Sequence, residues 1–419
     1  MLTRPIPAPS GSLLTRPLLL AMAAAASGLL GFYLLFATMP LYAASGGAGE
    51  SGVGLTTGAM MLSTVLLELA VPWLLSRYGY RAVLALGLVL LGLPALLLPL
   101  SAGLPLVITV ALLRGGGLGI LVVAGTALAA ELVPAERRGE GMGLYGVAVG
   151  VPSVIGLPLG LWAAGVLGFT PVLVVGALIP LAGLVTVLAL PAINPATAPG
   201  THPTTESDTE PDTGPTAGNA GSTGKGNAGT FDLRVQVRPT LIFAAVTLAV
   251  GVLVTFLPLA GSPELASAAL LAQSLGTPLA RWWAGRIGDG HGSERLLAPG
   301  ILVTAAGVAL QVWAGEPVAV VVGMAMFGVG FGVLQNATLA LMLERGPSGP
   351  VSALWNLAYD AGMGVGAMGF GLFIGHTGYP VGFAVTAALV TATLPLARKR
   401  ALSAGPARRH GDGAPLDAR

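Results

Sequence analysis

The residues of this chain that could do acid–base chemistry are few, because only 9% of its 419 residues are charged and it contains no cysteine. Three ionisable side chains, Arg114, Asp360 and Glu68, interrupt long apolar stretches. A charged group in hydrocarbon costs at least about 2.5 kcal/mol, so such a group usually faces protein or water and has a role. Arg114 is interpreted as the one basic residue that lies deep inside such a stretch. These three residues are the candidates for proton exchange.

Arg114 and Asp360 are expected to face a central cavity at the same depth and to act together in proton exchange. Arg114 lies about nine residues from the end of its stretch, or about 14 Å at the helical rise, and Asp360 lies about ten residues into its own. Desolvation raises the pKa of a buried carboxyl group, whereas a nearby cation lowers it. The balance of the two effects would allow Asp360 to exchange a proton. Arg114 could instead cap backbone carbonyls, Asp360 could form a static ion pair, and Glu68 could either titrate or lock a helix interface.

The elements that position these residues follow from hydropathy. The chain is 54% hydrophobic, and a bilayer-spanning helix needs about 20 mainly apolar residues. Lipid requires the backbone to satisfy its own hydrogen bonds, and the alternating strands of a barrel do not occur in the sequence. An all-α membrane protein with twelve spans is therefore predicted. The segments cover about 18–43, 53–75, 82–101, 105–130, 142–167, 170–191, 239–260, 264–285, 296–314, 317–343, 350–374 and 379–397.

The basic residues follow the predicted spans on one side only. They occur before segment 1, after every second segment and in the tail, whereas the opposite loops contain no lysine or arginine. This bias predicts that both termini are cytoplasmic. The same bias explains the basic residues without a nucleic-acid partner.

The chain is predicted to divide into five parts. These are a cytoplasmic N-terminal segment (1–17), a six-helix bundle (18–191), a disordered cytoplasmic linker (192–238), a second six-helix bundle (239–398) and a cytoplasmic tail (399–419). The linker is rich in Thr, Gly, Pro, Asp and Ser and cannot bury enough apolar surface to fold alone. Gly224-Lys225 within it lacks the rest of a phosphate loop, and the four histidines form no metal cluster, so no cofactor or metal is expected.

The two bundles resemble each other in sequence. The run from Arg114 to Gly119 aligns with the run from Phe327 to Gly332, and the same offset places Glu131 on Glu344. Gly79 and Arg81 match Gly292 and Arg295 in the same way. Parallel repeats of six helices are a known plan of transport proteins.

Three motifs carry a resemblance to a known family. Arg77, Gly79 and Arg81 match the loop Gly-x-x-x-Asp-Arg-x-Gly-Arg-Arg, although Pro72 and Ser76 depart from it. A second copy carries Gly285, Asp289 and Gly292, with Gly290 in place of the arginine. Arg114 followed by glycines resembles the family's segment 4 motif, which is associated with proton coupling. Segment 5 resembles the antiporter motif through Gly146, Gly150, Pro152, Gly156, Pro158 and Gly160. The chain thus resembles the major facilitator superfamily, and within it bacterial arabinose-efflux or drug-efflux permeases.

The resemblance implies a fold and an activity. The fold would be two pseudo-symmetric six-helix halves. The activity would be secondary active transport of a small organic solute by alternating access, as proton-coupled efflux. A proton symporter or uniporter that imports a sugar or metabolite is the alternative, and a non-transporting membrane sensor is a third. The chain would be no enzyme, and would act as a monomer in the bilayer of the bacterial plasma membrane.

The resemblance also implies roles for residues. Proton coupling would fall to Arg114, Asp360 and Glu68. The solute cavity would be lined by polar residues of the pore helices: Tyr33, Thr38, Thr255, Gln273, Gln335, Asn336 and Asn356. Conformational change would depend on the loop motifs and helix ends: Arg77, Gly79, Arg81, Gly285, Asp289, Gly292, Arg295, Glu131 and Glu344. Asp289 would join Arg286 and Arg295 in a charge cluster that stabilises an outward-open state.

Overall fold

Apolar runs separated by glycine and proline produce a wholly helical architecture in the described part of the chain. The computed structural model describes residues 14–134, 137–191 and 231–397, and every regular element within these ranges is a helix. The α-helices are α1 (Arg16–Phe36), α2 (Thr38–Ser45), α3 (Glu50–Gly92), α4 (Leu104–Leu132), α5 (Arg138–Leu167), α6 (Phe169–Leu188), α7 (Leu233–Ala260), α8 (Pro263–His291), α9 (Leu297–Ala309), α10 (Pro317–Leu343), α11 (Ser348–Thr377), α12 (Tyr379–Thr391) and α13 (Leu394–Ala397). Short 3-10 helices follow α3, α8 and α9.

Helix boundaries differ from the predicted domain limits at two places. α1 begins at Arg16, and α7 begins at Leu233 rather than at 239. The last residues assigned to the linker are therefore helical. Residues 1–13, the linker from 192 to 230 and the tail from 398 onward lie outside the described residues.

The membrane-spanning character of the chain is clear, although the count of spans differs from the predicted twelve. Ten helical stretches in the described residues are long and apolar enough to cross a membrane. One of them, Glu50–Leu100, contains 51 residues and holds both predicted segments 2 and 3. Its helix turns at Gly79, where φ is +73°. α8 is long enough to span, but it is not among the ten because it carries several charged and polar residues.

The same glycine-dependent turn occurs in both halves of the chain. Gly79 and Gly292 have φ values of +73° and +85°, and Gly168 and Gly378 have values of +82° and +79°. This left-handed region is open to glycine at no steric cost. The first pair ends the long helices that lead to the basic side, and the second pair separates α5 from α6 and α11 from α12. The chain thus reverses direction by the same device at matching positions.

The helices pack in two groups, one before and one after the linker. α1 packs against α5 and α6, and α3 packs against α4, whereas α10 packs against α8 and α9, and α7 packs against α11. The parts of the chain before and after the linker meet mainly through α3 with α11 and α5 with α8. Glycine allows close approach within each part: a Cβ at Gly160 would lie 1.9 Å from the carbonyl oxygen of Leu34.

Candidate functional site

A cavity of about 1050 Å³ lies between the two groups of helices. Its deep end is lined by Val254, Met363 and Asp360, and its wall extends to Gly143 and Asp289. Gly143 lies near the start of α5 and Asp289 near the end of α8, so the cavity reaches the face of the protein that carries the basic loops. The molecule is therefore open on the face that the charge bias predicts to be cytoplasmic.

The opposite face is closed by direct contact between α3 and α11. A Cβ at Gly54 would lie 2.4 Å from the carbonyl oxygen of Ala367, so the two backbones touch. The Thr57 hydroxyl hydrogen-bonds the Thr255 hydroxyl at 2.9 Å, which ties α3 to α7. Small residues and hydroxyls therefore seal this end without a salt bridge between these helices.

A second contact of the same kind joins α5 and α8. The Ser267 hydroxyl donates to the carbonyl oxygen of Pro158 at 2.7 Å. Pro158 lies inside α5, and its carbonyl oxygen accepts this hydrogen bond from the neighbouring helix. Both inter-half crossings thus meet at the end away from the basic loops.

The polar centre of the cavity is a carboxyl pair. Glu68 on α3 and Asp360 on α11 lie close enough for their carboxyl groups to interact, and both line the cavity. Asp360 is only 7% exposed. A carboxylate has no hydrogen to donate, so a hydrogen bond between two carboxyl groups requires that one of them carries a proton. Helices from opposite sides of the linker thus bring together two groups that can share a proton. Tyr33 and Tyr359 are the neighbouring electrostatic partners of Asp360.

Arg114 does not face this cavity, contrary to the expected Arg114–Asp360 pairing. Its side chain is fully buried, and it donates through one terminal nitrogen to the carbonyl oxygen of Leu91 and through the other to Gly31 at 2.9 Å. These carbonyls belong to α3 and α1. The geometry matches the alternative in which Arg114 caps carbonyls and fixes helix packing.

Arg281 is the basic residue that the sequence interpretation missed when it took Arg114 as the only deep one. Arg281 lies on α8, is solvent-exposed and lines the cavity. Tyr359 is its electrostatic neighbour. The signal was present in the sequence, since Arg281 lies inside predicted segment 264–285, directly before Trp282-Trp283.

Five of the seven predicted solute residues line the cavity, and two do not. Those on the wall are Tyr33, Gln273, Gln335, Asn336 and Asn356. Thr38 donates to the carbonyl oxygen of Leu34 in the preceding turn at 2.9 Å, and Thr255 belongs to the closed end. Polarity alone could not separate these cases, because a helix threonine can satisfy its hydroxyl on its own backbone.

Aromatic residues complete the wall beside Asp360. Trp355 stacks on Phe243 with ring centroids 4.4 Å apart, and its indole N–H points to the Thr338 hydroxyl at 3.4 Å. Tyr359 packs at a tilt against Phe331, 6.2 Å away. The sequence showed Trp355 and Tyr359 next to Asp360 but gave them no role.

The predicted conformational residues occupy four kinds of position. Gly285 and Asp289 line the cavity, and Gly79 and Gly292 form the left-handed turns. Glu131 accepts a hydrogen bond of 2.5 Å from the Tyr80 hydroxyl, which joins the end of α4 to α3. The remaining members are exposed on the basic side: Arg77, Arg81, Arg295 and Glu344.

The expected charge cluster around Asp289 is not formed in this conformation. Among the described residues, Asp289 makes no ion pair, and Arg286 lies over the Trp282 ring at 4.0 Å. Glu294 takes the central position instead, with Arg345 at 2.6 Å and Arg238 at 3.4 Å. Within the described ranges no cluster of three or more His, Cys, Asp and Glu could hold a metal ion.

Comparison with known proteins defines the family. The Major Facilitator Superfamily model matches residues 18–347, which is most of the chain. The chain therefore belongs to the major facilitator superfamily, and it is a transporter rather than an enzyme. A search of curated protein sequences found no match.

Solved structures with the same fold include transporters of several solutes. The inward open xylose transporter XylE from E. coli has a TM-score of 0.68 at 15% identity, covering 90% of this chain and 94% of that one. The nucleoside transporter NupG has a TM-score of 0.65 at 13% identity, covering 90% and 98%. The peptide transporter POT in complex with sulfate has a TM-score of 0.69 at 14% identity, covering 93% and 94%. At these identities the likeness is one of fold.

Proposed function

We propose that this transporter exports a small organic solute in exchange for protons, by alternating access across the bacterial inner membrane. Its twelve spans would form two six-helix halves with both termini in the cytoplasm, and one chain would suffice for transport. The xylose, nucleoside and peptide transporters that share the fold support small-molecule transport in general. They do not select a solute for this chain.

The observation that carries the proton coupling is the contact between Glu68 and Asp360. The two carboxyl groups belong to α3 and α11, which must move relative to each other when the closed end opens and the cavity changes sides. Movement that separates the carboxyl groups ends their interaction and changes their affinity for the proton. A ligand shifts a conformational equilibrium only when the two conformations bind it differently. Proton binding at this pair would meet that condition.

The other residues would bind the solute, form the turns and hold the helices together. Arg281 and the amides of Gln273, Gln335, Asn336 and Asn356 would contact the solute. Gly79 and Gly292 would set the turns about which the basic ends of the long helices move. Arg114 would hold α1, α3 and α4 together as one body rather than carry the proton.

Flux measurements in proteoliposomes under an imposed pH gradient test the proposal. Solute is expected to move against the direction of proton flow, and collapse of the gradient with an ionophore should abolish accumulation. Solute moving with the protons would identify a symporter, and flux that ignores the gradient would identify a uniporter. Either result would contradict antiport. No flux of any solute would favour the sensor alternative.

A further inference from the structure

Three buried glutamines have a side-chain oxygen without a hydrogen-bond partner among the described residues, and only one of these glutamines lies on the cavity wall. The Oε1 atoms of Gln236, Gln273 and Gln311 are buried without a hydrogen-bond partner among the described residues. Buried polar atoms normally have partners, so each such exception requires an explanation. Gln236 and Gln311 do not line the cavity, whereas Gln273 does. A solute could therefore reach Gln273 but not the other two.

The orientation of the Gln273 amide follows from its neighbour. The Thr277 hydroxyl donates its single hydrogen to the backbone carbonyl of Gln273 at 2.9 Å. Thr277 can therefore only accept from the side chain of Gln273, whose Nε2 lies 3.4 Å away. This arrangement leaves Oε1 as a free acceptor. The hydroxyl of Ser274, the next residue, is also buried and unpartnered, and it also lines the cavity.

A cationic side chain lies farther along the same helix. Arg281 comes eight residues after Gln273, which is about 12 Å along the axis and about 80° around it. It lines the cavity, and the ion pairs among the described residues do not include it. A guanidinium group presents a rigid fork of N–H donors that fits a carboxylate or phosphate. Glu68 and Asp360 lie next to each other on the same cavity wall.

We propose that α8 carries the solute-recognition surface, and that it selects an organic anion that also bears hydroxyl groups. Arg281 binds the acidic group, and the Gln273 Oε1 and Ser274 hydroxyl bind a hydroxyl of the same solute nearer the closed end. This inference rests on the proposed transport function, because it names the class of solute that enters the same cavity. It also accounts for the polarity of α8, which keeps that helix outside the ten apolar spans.

Binding to the purified protein in detergent, without any gradient, tests the proposal separately from proton coupling. Thermal stabilisation would be measured with gluconate and glucose 6-phosphate as hydroxylated anions. Sorbitol supplies hydroxyls without charge, hexanoate supplies charge without hydroxyls, and glucosamine supplies a cation. The two hydroxylated anions are expected to bind more tightly than the other three. The carboxylate and phosphate members distinguish which acidic group the site prefers.

Two variants with matched controls assign the contacts. Arg281→Gln should weaken binding of the preferred anion at least about tenfold and remove its advantage over sorbitol, as expected for loss of a charged hydrogen bond. Arg138→Gln removes an exposed arginine outside the cavity and should change nothing. Gln273→Leu should weaken gluconate but not hexanoate, whereas Gln311→Leu, at a glutamine with the same orphan oxygen but no access to the cavity, should leave both unchanged.

The result that overturns the inference is also defined. Sorbitol or glucosamine binding at least as well as the anions, or wild-type affinity in a folded Arg281→Gln protein, would refute it. So would failure of both hydroxylated anions to bind the folded wild type. Transport with proton coupling could survive any of these results. Anion binding with no response of flux to the pH gradient would refute only the coupling.

Discussion

At the residue scale, the Glu68–Asp360 pair is the feature that links the structure to the proposed proton coupling. Asp360 is buried, Glu68 is partly buried, and the only hydrogen that can join their carboxyl groups is an acidic proton. A titratable pair of this kind shares its protonation, so neither residue can be changed without affecting the other. In the proposed antiport, the coupling role therefore belongs to the pair.

Asp360→Asn and Glu68→Gln should each abolish solute accumulation driven by a pH gradient. Solute exchange without a gradient should persist, because exchange does not require net proton movement. Counterflow and gradient-driven flux measured on the same proteoliposomes separate the two activities. Glu316→Gln, which neutralises an exposed carboxylate before α10, serves as the control. An Asp360→Asn protein with unchanged pH dependence of flux would make Asp360 a structural residue.

Arg114 is the second residue of interest, and its function differs from that of the carboxyl pair. Its guanidinium fork reaches carbonyls on two other helices, which a lysine cannot do with one point of charge. A buried charge without its partners is costly, whereas an apolar replacement of similar volume is often tolerated. Arg114 thus serves as a joint between α1, α3 and α4.

Two substitutions of Arg114 distinguish packing from coupling. If Arg114 is a packing residue, Arg114→Lys should lower thermal stability more than Arg114→Met, since the lysine keeps the buried charge and loses part of its hydrogen bonding. Folded protein of either variant should keep the pH dependence of flux. If Arg114 carries coupling instead, the lysine variant would retain it and the methionine variant would lose it. Thermal unfolding and gradient-driven flux together decide between these outcomes.

At the element scale, the crossing of α3 and α11 determines which face of the protein is closed. The backbones touch where Gly54 meets Ala367, and no side chain fits between them. The end of α5 near the basic loops lacks such close contacts. A Cβ at Gly143, Gly146 or Gly150 would meet nothing within 4 Å, so this face of α5 is uncovered in the present conformation.

Gly54→Val should therefore open the closed end. The added side chain cannot fit against the Ala367 carbonyl, which lies 2.4 Å from the position of its Cβ. A cysteine at Thr57, introduced into this cysteine-free chain, should react several times faster with an impermeant thiol reagent applied to intact cells. Gly369→Val on α11, where a Cβ meets nothing within 4 Å, is the control. Equal labelling rates in both backgrounds would show that this contact does not hold the end shut.

At the scale of the whole molecule, the cavity and the charge bias point to the same face. The open end lies beside the basic loops, and the sealed end lies beside loops without lysine or arginine. By the positive-inside rule we expect the open end to face the cytoplasm. In that orientation the structure would represent a state that receives solute from inside the cell, as the first step of the proposed export requires.

Cysteine labelling tests this orientation directly. Ser45, at the end of α2, should be accessible from outside intact cells when replaced by cysteine. A cysteine at Ser222, in the linker outside the described residues, should be labelled only after the membrane is made permeable. The reverse pattern would invert the topology, and the open cavity would then face the exterior.

The sequence alone determined the class of protein and the approximate helices. Long apolar runs and the one-sided arginines dictate a polytopic helical protein, because both properties are set by transfer from water to lipid and depend on composition over about 20 residues. The loop motifs identified the family. The left-handed turn at Gly79 and Gly292 could also be anticipated, since both glycines recur at matched positions of the repeat.

The tertiary structure alone decided which polar residues meet. Arg114 and Asp360 share a depth in the sequence pattern, yet one faces α1 and α3 and the other faces the cavity beside Glu68. Depth follows from position along a helix, but partnership depends on the rotation of each helix and on which helices cross. Small residues such as Gly54 determine where helices cross, through contacts between distant parts of the chain. Local hydropathy cannot predict those contacts.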